Sequence, residues 1–185
     1  MTRHIAGPNW PLIAVLASLA MLAGAHAFET IGKMAPCPLC LRQRDIYWGA
    51  TAMAVTGLVL WQRQPARRYL VALDVMLGLV FLTGVVVAGY HSGVEWGWWT
   101  GPAGCSGGGA GPITEIDLSA ALDGRIATVS CTEAPWRMFG LSMAGYNTLV
   151  SAGLALISFI AASATIGPAR SSGPGAHQLS SSTSQ

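Results

Sequence analysis

An apolar run occupies Tyr69–Tyr90, YLVALDVMLGLVFLTGVVVAGY, in which 22 residues include a single acid, Asp74. A helix needs about 20 predominantly apolar residues to cross the hydrocarbon core of a bilayer. Two other runs are also long enough: Pro11–Phe28 has 18 residues, and Leu141–Ile166 has 26 residues without a charge. Each of these three runs is therefore predicted to be a membrane-spanning helix.

A fourth run, Ile46–Trp61, is shorter at 16 uncharged residues, and the neutral Gln43 allows it to be extended toward the N-terminus. The seven Trp residues mostly flank the four runs, as amphipathic rings do at a membrane–water interface. The predicted fold is an all-α, integral membrane four-helix bundle in residues 1–166. Its spans cover about 11–28, 43–61, 69–90 and 141–166, with loops at about 29–40 and 91–140.

The composition of the 185-residue chain excludes an ordinary soluble domain. Hydrophobic residues make up 52%, charged residues only 10%, and the mean hydropathy is +0.48. In a typical soluble domain about a quarter of the residues are charged. The net charge of +2 also excludes a polybasic protein that binds nucleic acid. The expected surroundings of the apolar surface are a lipid bilayer.

The distribution of Lys and Arg predicts the orientation, because these residues are enriched in cytoplasmic segments. Basic residues lie at the N-terminus, in the loop after the second run and in the C-terminal tail: Arg3, Arg63, Arg67, Arg68 and Arg170. Both termini are therefore predicted to be cytoplasmic and both long loops to lie outside. The Gly-, Pro- and Ser-rich residues 167–185 are predicted to form a disordered cytoplasmic tail. A cleavable signal sequence that ends at Ala25-His26-Ala27 is an open alternative for the first run.

All four cysteines, Cys37, Cys40, Cys105 and Cys131, lie outside by this topology. Disulfides persist in oxidising compartments, and an even number of cysteines there suggests two bridges. Covalent haem is excluded, because Leu41 stands where a His would follow the C-x-x-C motif. No His spacing completes a zinc finger, so no metal is expected. Two inert structural disulfides are an alternative.

The C-x-x-C motif, PCPLC at residues 36–40, lies where the first outer loop meets the second helix. Unpaired backbone N–H groups and the positive end of the helix dipole favour a thiolate at such a position. Arg44 follows Cys40 by four residues and therefore shares its helix face. Its charge can stabilise a thiolate or the developing anion of a bound oxidant.

The surroundings of Cys105 are different. The segment Gly101–Gly109, GPAGCSGGG, predicts a mobile loop because glycine restricts the backbone least. A disulfide in a mobile, exposed loop is accessible to the thiolate of a partner protein.

These features together resemble the DsbB family of disulfide bond formation proteins, over roughly Trp10–Ile166. The resemblance rests on their order: PCPLCLRQR at the start of the second helix, GYH at 89–91, then Cys105, and Cys131 with Trp136 after it. Family members are four-helix inner-membrane enzymes that reoxidise the periplasmic thiol oxidase DsbA and pass electrons to quinone. The GVEWGWW stretch and the glycine-rich segment depart from the enterobacterial pattern and resemble a variant loop of other proteobacterial members.

The resemblance implies a role for each candidate residue. Cys37 and Cys40 would form the disulfide next to the quinone, with Cys40 the thiolate that contacts the ring. Cys105 and Cys131 would form the loop disulfide that meets DsbA, with Cys105 the sulfur that is attacked. The implied quinone-site residues are Arg44, His91 and Trp136.

The resemblance also implies the activity, a protein-dithiol:quinone oxidoreductase with ubiquinone or menaquinone as acceptor and a DsbA-like protein as partner. The location would be a bacterial inner membrane, with the cysteines and both loops facing the periplasm. The vitamin K epoxide reductase-like family is an alternative, but its loop cysteines precede the C-x-x-C motif, and here the motif comes first. A structural four-span protein with static disulfides is the alternative outside the enzymes. An acid inside an apolar span is often functional, but Asp74 lies near the cytoplasmic end of its run, where it could reach water or pair with Arg67 or Arg68, and it is left out of the site.

Overall fold

The computed structural model describes residues 7–34, 36–102, 105 and 130–166. Within these residues the chain forms four helices and one short hairpin. The helices are α1 (Asn9–Thr30), α2 (Pro38–Arg63), α3 (Arg67–Glu95) and α4 (Met143–Ile166), and the strands are β1 (Arg137–Met138) and β2 (Leu141–Ser142). The predicted tail 167–185, the N-terminal Arg3 and most of the glycine-rich segment lie outside the described residues.

Three of these helices, α1, α3 and α4, are long and apolar enough to cross a membrane. Helix α2 has 26 residues but is not among them. Its first turns carry Arg42, Arg44 and Asp45, and its last turn carries Arg63, which lowers its hydropathy. That α2 also spans the membrane, and that both termini are cytoplasmic, remain predictions.

The helices extend beyond the apolar runs that predicted them. Helix α2 begins at Pro38, ahead of the predicted residue 43, and α3 continues past Tyr90 to Glu95. His91 and Glu95 therefore lie on the last turns of a helix and not in the predicted loop at 91–140. The difference arises because apolar composition marks the part of a helix that suits lipid, whereas backbone hydrogen bonding continues beyond it.

A hairpin precedes α4 and is the one departure from an all-α fold among the described residues. Strand β1 pairs antiparallel with β2, with Arg137 opposite Ser142. The turn residues Phe139 and Gly140 have φ values of +50° and +82°, the left-handed conformation of a two-residue hairpin turn. The Ser142 hydroxyl then accepts the backbone N–H of Gly145 at 3.2 Å, which caps the start of α4.

The interior of the bundle lies between α3 and α4, with α2 packed against α3 and α1 against α2. Its largest fully buried apolar side chains are Trp10, Leu77 and Phe81. Trp10 lies inside the bundle, where its indole N–H donates to the Ser158 hydroxyl at 3.0 Å. Small residues allow close contact: a Cβ on Gly78 would meet the ring of Phe159 at 2.8 Å.

Asp74 is buried in α3, about 25 Å along the helix from His91. Its side chain is 0% exposed, and within the described residues its carboxylate oxygens accept no hydrogen bond.

One end of the bundle gathers the residues that carry chemistry. The ends of α1 and α3 meet the starts of α2 and α4 there, together with the segment around Cys131. Cys37, Leu39, Val94, Cys105 and Cys131 form a separate buried cluster at this end. We call it the redox end.

Candidate thiol–disulfide site

Cys37 caps the N-terminus of α2. Its backbone is extended, with φ −74° and ψ 162°, and its sulfur accepts the backbone N–H of Cys40 at 3.1 Å. Pro38 occupies the first helical position, where its fixed φ suits the helix. A backbone N–H at this position would have no acceptor within the helix, so its absence in proline costs no hydrogen bond. The C-x-x-C sequence thus places one sulfur at the positive end of the helix dipole.

Cys37 and Cys40 are both thiols in this structure, the reduced form of the motif. The pKa of Cys37 is lowered to about 4, first by a hydrogen bond from the Cys40 thiol and then by the His91 ring, although burial opposes the shift. The same bond, together with burial, raises the pKa of Cys40. The thiolate of the reduced pair is therefore Cys37. The resemblance assigns the thiolate contact with quinone to Cys40, which can ionise readily only while Cys37 is bonded elsewhere.

His91 and Glu95 are buried one turn apart at the end of α3. His91 Nε2 lies 3.7 Å from Cys37 Sγ and 3.7 Å from Glu95 Oε1. The Glu95 side chain is only 3% exposed, and its second oxygen has no hydrogen-bond partner among the described residues. On its other side, His91 Nδ1 lies 2.8 Å from the side-chain nitrogen of Gln43.

A disulfide joins Cys105 to Cys131 across 26 residues. The sulfurs of Cys37 and Cys131 and His91 Nε2 all lie within 4.8 Å of one another. The two cysteine pairs are therefore neighbours, and a short movement would bring the sulfurs of Cys37 and Cys131 into bonding contact. Cys131 is bonded to Cys105 here, so its sulfur is not available as a thiolate ligand for a metal.

Cys105 is 1% exposed, which corrects the prediction of an exposed loop disulfide. Its sulfur packs in the cluster with Leu39 and Val94. A Cβ on Gly101 would meet Cys105 Cβ at 3.2 Å and Val94 at 3.2 Å, so the chain lies close against the end of α3 at this point. The glycine content of the segment alone did not reveal this burial.

A cavity of about 400 Å³ opens beside the C-x-x-C motif. Its walls are mainly apolar and come from all four helices and the hairpin region. Trp136 stands in this wall between Phe28 and Tyr146, at centroid distances of 5.8 and 6.1 Å. Both cysteines of the motif line the same cavity.

Arg44 also lines the cavity, and its guanidinium is held from α1. It donates to the Glu29 carboxylate at 2.5 Å and to the backbone oxygen of Ala25 at 3.1 Å. The Arg44 charge is therefore partly neutralised in this structure and lies at the edge of the cavity.

The structure brings all seven candidate residues to the redox end. Six of them line or adjoin the cavity, and Cys105 lies behind Cys131. Sequence reasoning did not include Glu95, Gln43, Tyr47 and Asn147 in the site. A usable signal existed for Asn147, since an amide in an otherwise apolar run is expected to face the interior of a bundle.

The lowered pKa of Cys37 gives a prediction for a Cys105→Ser/Cys131→Ser variant with the C-x-x-C motif reduced. Half of Cys37 should ionise near pH 4. Because this pKa lies below the 9.0 of an ordinary thiol, ionised Cys37 stabilises the reduced fold fully above about pH 9. That stabilisation is lost as the pH falls to about 4. Ultraviolet thiolate absorbance and alkylation rates against pH measure the ionisation, and a single transition near pH 9 would contradict it.

The fold and the site together define a class, membrane-type helical proteins built for thiol–disulfide exchange. The family model described as Disulfide bond formation protein DsbB matches residues 8–161. The chain is 30% identical over 148 residues to Disulfide bond formation protein B of Dechloromonas aromatica, covering 78% of this chain and 86% of that protein. It is 40% identical over 80 residues to Disulfide bond formation protein B of Alkalilimnicola ehrlichii, covering 43% of this chain and 47% of that protein. The chain belongs to the DsbB family of disulfide bond formation proteins.

Proposed function

We propose that this protein is a protein-dithiol:quinone oxidoreductase that reoxidises a DsbA-like periplasmic thiol oxidase and passes the electrons to a membrane quinone. The observation that carries the proposal is the approach of the two cysteine pairs beside an apolar cavity. Cys37 Sγ and Cys131 Sγ lie within 4.8 Å, and both sulfurs of the C-x-x-C motif line the cavity wall.

The relay proceeds by thiol–disulfide exchange and starts from two oxidised pairs. A thiolate of the reduced partner attacks Cys105, the Cys105–Cys131 bond breaks, and Cys131 leaves as a thiolate. The partner's second thiolate then displaces Cys105, and the partner departs with its disulfide. Cys131 attacks Cys37, and Cys40 leaves as the thiolate. Cys105 then attacks Cys131, which restores the loop disulfide and leaves Cys37 and Cys40 reduced.

This order of events explains how Cys37 is the thiolate of the reduced pair while the resemblance assigns the thiolate that contacts quinone to Cys40. While Cys37 is bonded to Cys131, its sulfur carries no negative charge and cannot accept the proton of the Cys40 thiol. Cys40 is then the leaving thiolate and faces the cavity. Once Cys37 is released, the hydrogen bond from the Cys40 thiol stabilises Cys37 as the thiolate again. The charge therefore moves between the two sulfurs with the state of the relay.

The cavity fits a quinone by its chemistry. Aromatic and aliphatic side chains offer an apolar surface for the ring, and Arg44 offers guanidinium donors for a ring oxygen. A quinone bound there would accept two electrons from the reduced pair as the Cys37–Cys40 bond forms, together with one proton from the Cys40 thiol and one from water. Trp136 and Phe28 would flank it, and Arg44 would orient it.

The proposed setting is the bacterial inner membrane, with the redox end facing the periplasm. The cysteines need an oxidising compartment to form their bridges. The connection 64–66 between α2 and α3 is flanked by Arg63, Arg67 and Arg68, which favour its cytoplasmic placement. Residues 1–166 would then form the transmembrane redox domain with α2 as its fourth span, and residues 167–185 the cytoplasmic tail.

An anaerobic assay tests the proposed function. Purified protein in detergent is mixed with reduced DsbA and a soluble ubiquinone analogue, and quinone absorbance is followed. We expect one quinone to be consumed for each DsbA oxidised. Quinone loss with a small dithiol but not with DsbA would exclude a DsbA-like partner and keep the redox core. No loss with either donor, in a folded sample, would overturn the proposal in favour of static disulfides.

The role of Arg44 gives a separate prediction. We expect Arg44→Ala to raise the KM for quinone about 10- to 100-fold, because a hydrogen bond to a charged group contributes about 1.5–3 kcal/mol. Arg42→Ala, which removes an exposed Arg two residues away, is the matched control and should leave KM unchanged. Glu29→Gln removes the ion-pair partner of Arg44 and should not raise KM. An equal rise in Glu29→Gln and Arg44→Ala would show that the ion pair acts only on the fold.

A further inference from the structure

We infer that Gln43, Asn147 and Tyr47 form a buried positioning relay that fixes the tautomer of His91, with the N–H on Nε2 and directed at Cys37. The inference deepens the proposed function, on which its catalytic consequence rests. It concerns residues of α2 and α4 that have no sulfur. The inference rests on an unbroken series of hydrogen bonds that starts at His91 and ends in the bundle interior.

The series crosses three helices. Gln43 Nε2 lies 2.8 Å from His91 Nδ1, and Gln43 Oε1 accepts from Asn147 Nδ2 at 2.5 Å. Asn147 Oδ1 accepts the Tyr47 hydroxyl at 2.5 Å, and that hydroxyl lies 3.0 Å from Ser151 Oγ. All five side chains belong to residues that are buried. Burying polar side chains costs free energy unless each is hydrogen-bonded, so this network favours one arrangement of the side chains.

The direction of each bond follows from the chemistry of an amide. A Gln side chain has one oxygen, which only accepts, and one nitrogen, which only donates. Since Gln43 Oε1 is occupied by Asn147, the atom facing His91 Nδ1 is the Gln43 nitrogen. His91 Nδ1 must therefore offer its lone pair. A neutral imidazole has one N–H, which leaves the proton on Nε2.

The opposite direction is disfavoured at the redox end. If both amides rotated, His91 would donate from Nδ1 to Gln43, and its Nε2 lone pair would face Cys37 Sγ and Glu95 Oε1. Both of these atoms lie 3.7 Å from Nε2, and both belong to groups that carry negative charge when ionised. The negative charges of Cys37 and Glu95 therefore favour a proton on His91 Nε2, as the hydrogen bonds of the two amides do. A proton on Nδ1 would require Gln43 and Asn147 to rotate together.

The ionisable groups around His91 come from several elements. Glu95 faces it from α3, Cys37 and Cys40 from the start of α2, and Tyr47 through the relay. Cys131 lies close but is bonded to Cys105. With the proton on Nε2, His91 donates to the Cys37 sulfur and can do so in every state in which that sulfur is negative. The relay would thereby hold the donor in place throughout turnover.

Nitrogen NMR of the full-length protein with ¹⁵N-labelled histidine tests the inference without turnover. The chain has four His residues, and His91→Ala identifies the His91 signals. We expect the wild-type spectrum to show His91 only as the Nε2–H tautomer, while the exposed His26 serves as the internal reference. Gln43→Glu offers an acceptor to Nδ1 and should therefore place a proton on that nitrogen, so that Nε2–H is no longer the only N–H signal of His91. A wild-type Nδ1–H tautomer would overturn the inference.

Asn147→Leu frees Gln43 to rotate and should produce mixed His91 tautomers. It should also slow the oxidation of the reduced C-x-x-C pair by a quinone analogue about tenfold, the effect of about 1.4 kcal/mol from one lost hydrogen bond. Thr51→Val is the matched control, because the Thr51 hydroxyl bonds the backbone oxygen of Tyr47 at 2.8 Å and lies outside the relay. An unchanged tautomer in Asn147→Leu would overturn the inference. Absence of quinone reduction in the wild type would overturn the proposed function alone, since the tautomer is measured without quinone.

Discussion

Replacing Cys131 by Ser will stop electron transfer from DsbA to the Cys37–Cys40 pair. A serine hydroxyl cannot form or break the sulfur bond that links the two pairs, and the Cys131 sulfur lies within 4.8 Å of the Cys37 sulfur. We expect turnover of DsbA with quinone to fall at least about a thousandfold, as it does when a nucleophile is removed from other enzymes. Stopped assays that quantify oxidised DsbA measure the loss.

The same variant has an internal control. A small dithiol that enters the cavity can still reduce the Cys37–Cys40 disulfide directly, so quinone reduction from that donor should persist. Thr132→Ala, which removes the exposed hydroxyl next to Cys131, should leave both activities near the wild-type level. Undiminished DsbA turnover in Cys131→Ser would show that electrons do not pass through Cys131, and the proposed order of the relay would be wrong.

The helices were predictable from the sequence to the extent that lipid determines them. Long apolar runs have few alternatives to a helix in a bilayer, since every backbone polar group must be paired within the segment. The ends of α2 and α3 were not predictable in this way. Pro38 and Glu95 lie outside the apolar runs, and the helix termini there follow from capping and backbone hydrogen bonds.

Single aromatic residues show a second limit. Trp10 opens an apolar run, as an interfacial tryptophan would, but a partner 148 residues away, Ser158, holds its indole inside the bundle. Local sequence contains no information about such a partner. Trp96, Trp98 and Trp99 are exposed in the structure, in keeping with the interfacial placement that their position predicts.

The residues of the candidate site were largely predictable from the sequence, but the contacts and hydrogen bonds between them were not. The order of the cysteines and the position of Arg44 after Cys40 selected the right end of the bundle. The approach of Cys131 to Cys37, and the burial of Cys105, depend on how a long loop returns to the helix ends. From the sequence, Gln43 is only a neutral residue that allows α2 to be extended. Its importance is visible only when Asn147, 104 residues away, is seen to accept and donate beside it.

Replacing Cys40 by Ser will abolish quinone reduction with every donor. Two-electron oxidation of the motif ends with a bond between Cys37 and Cys40, and a serine at position 40 cannot make it. We expect a loss of at least about a thousandfold with both DsbA and a small dithiol. The anaerobic quinone assay measures it, and residual reduction at more than a few per cent of the wild-type rate would exclude Cys40 as a redox partner of Cys37.

Cys40→Ser also separates an active relay from static disulfides. The Ser hydroxyl can still donate to Cys37, so Cys37 remains a thiolate next to Cys131, whose sulfur lies within 4.8 Å. It should attack the loop disulfide and form a Cys37–Cys131 bond, which leaves Cys105 as the free thiol. Alkylation followed by peptide mass mapping detects this exchange, and Cys37→Ser serves as the matched variant without the attacking sulfur. Static disulfides would leave Cys105–Cys131 intact in both variants, because an inert bridge does not exchange with a neighbouring thiolate.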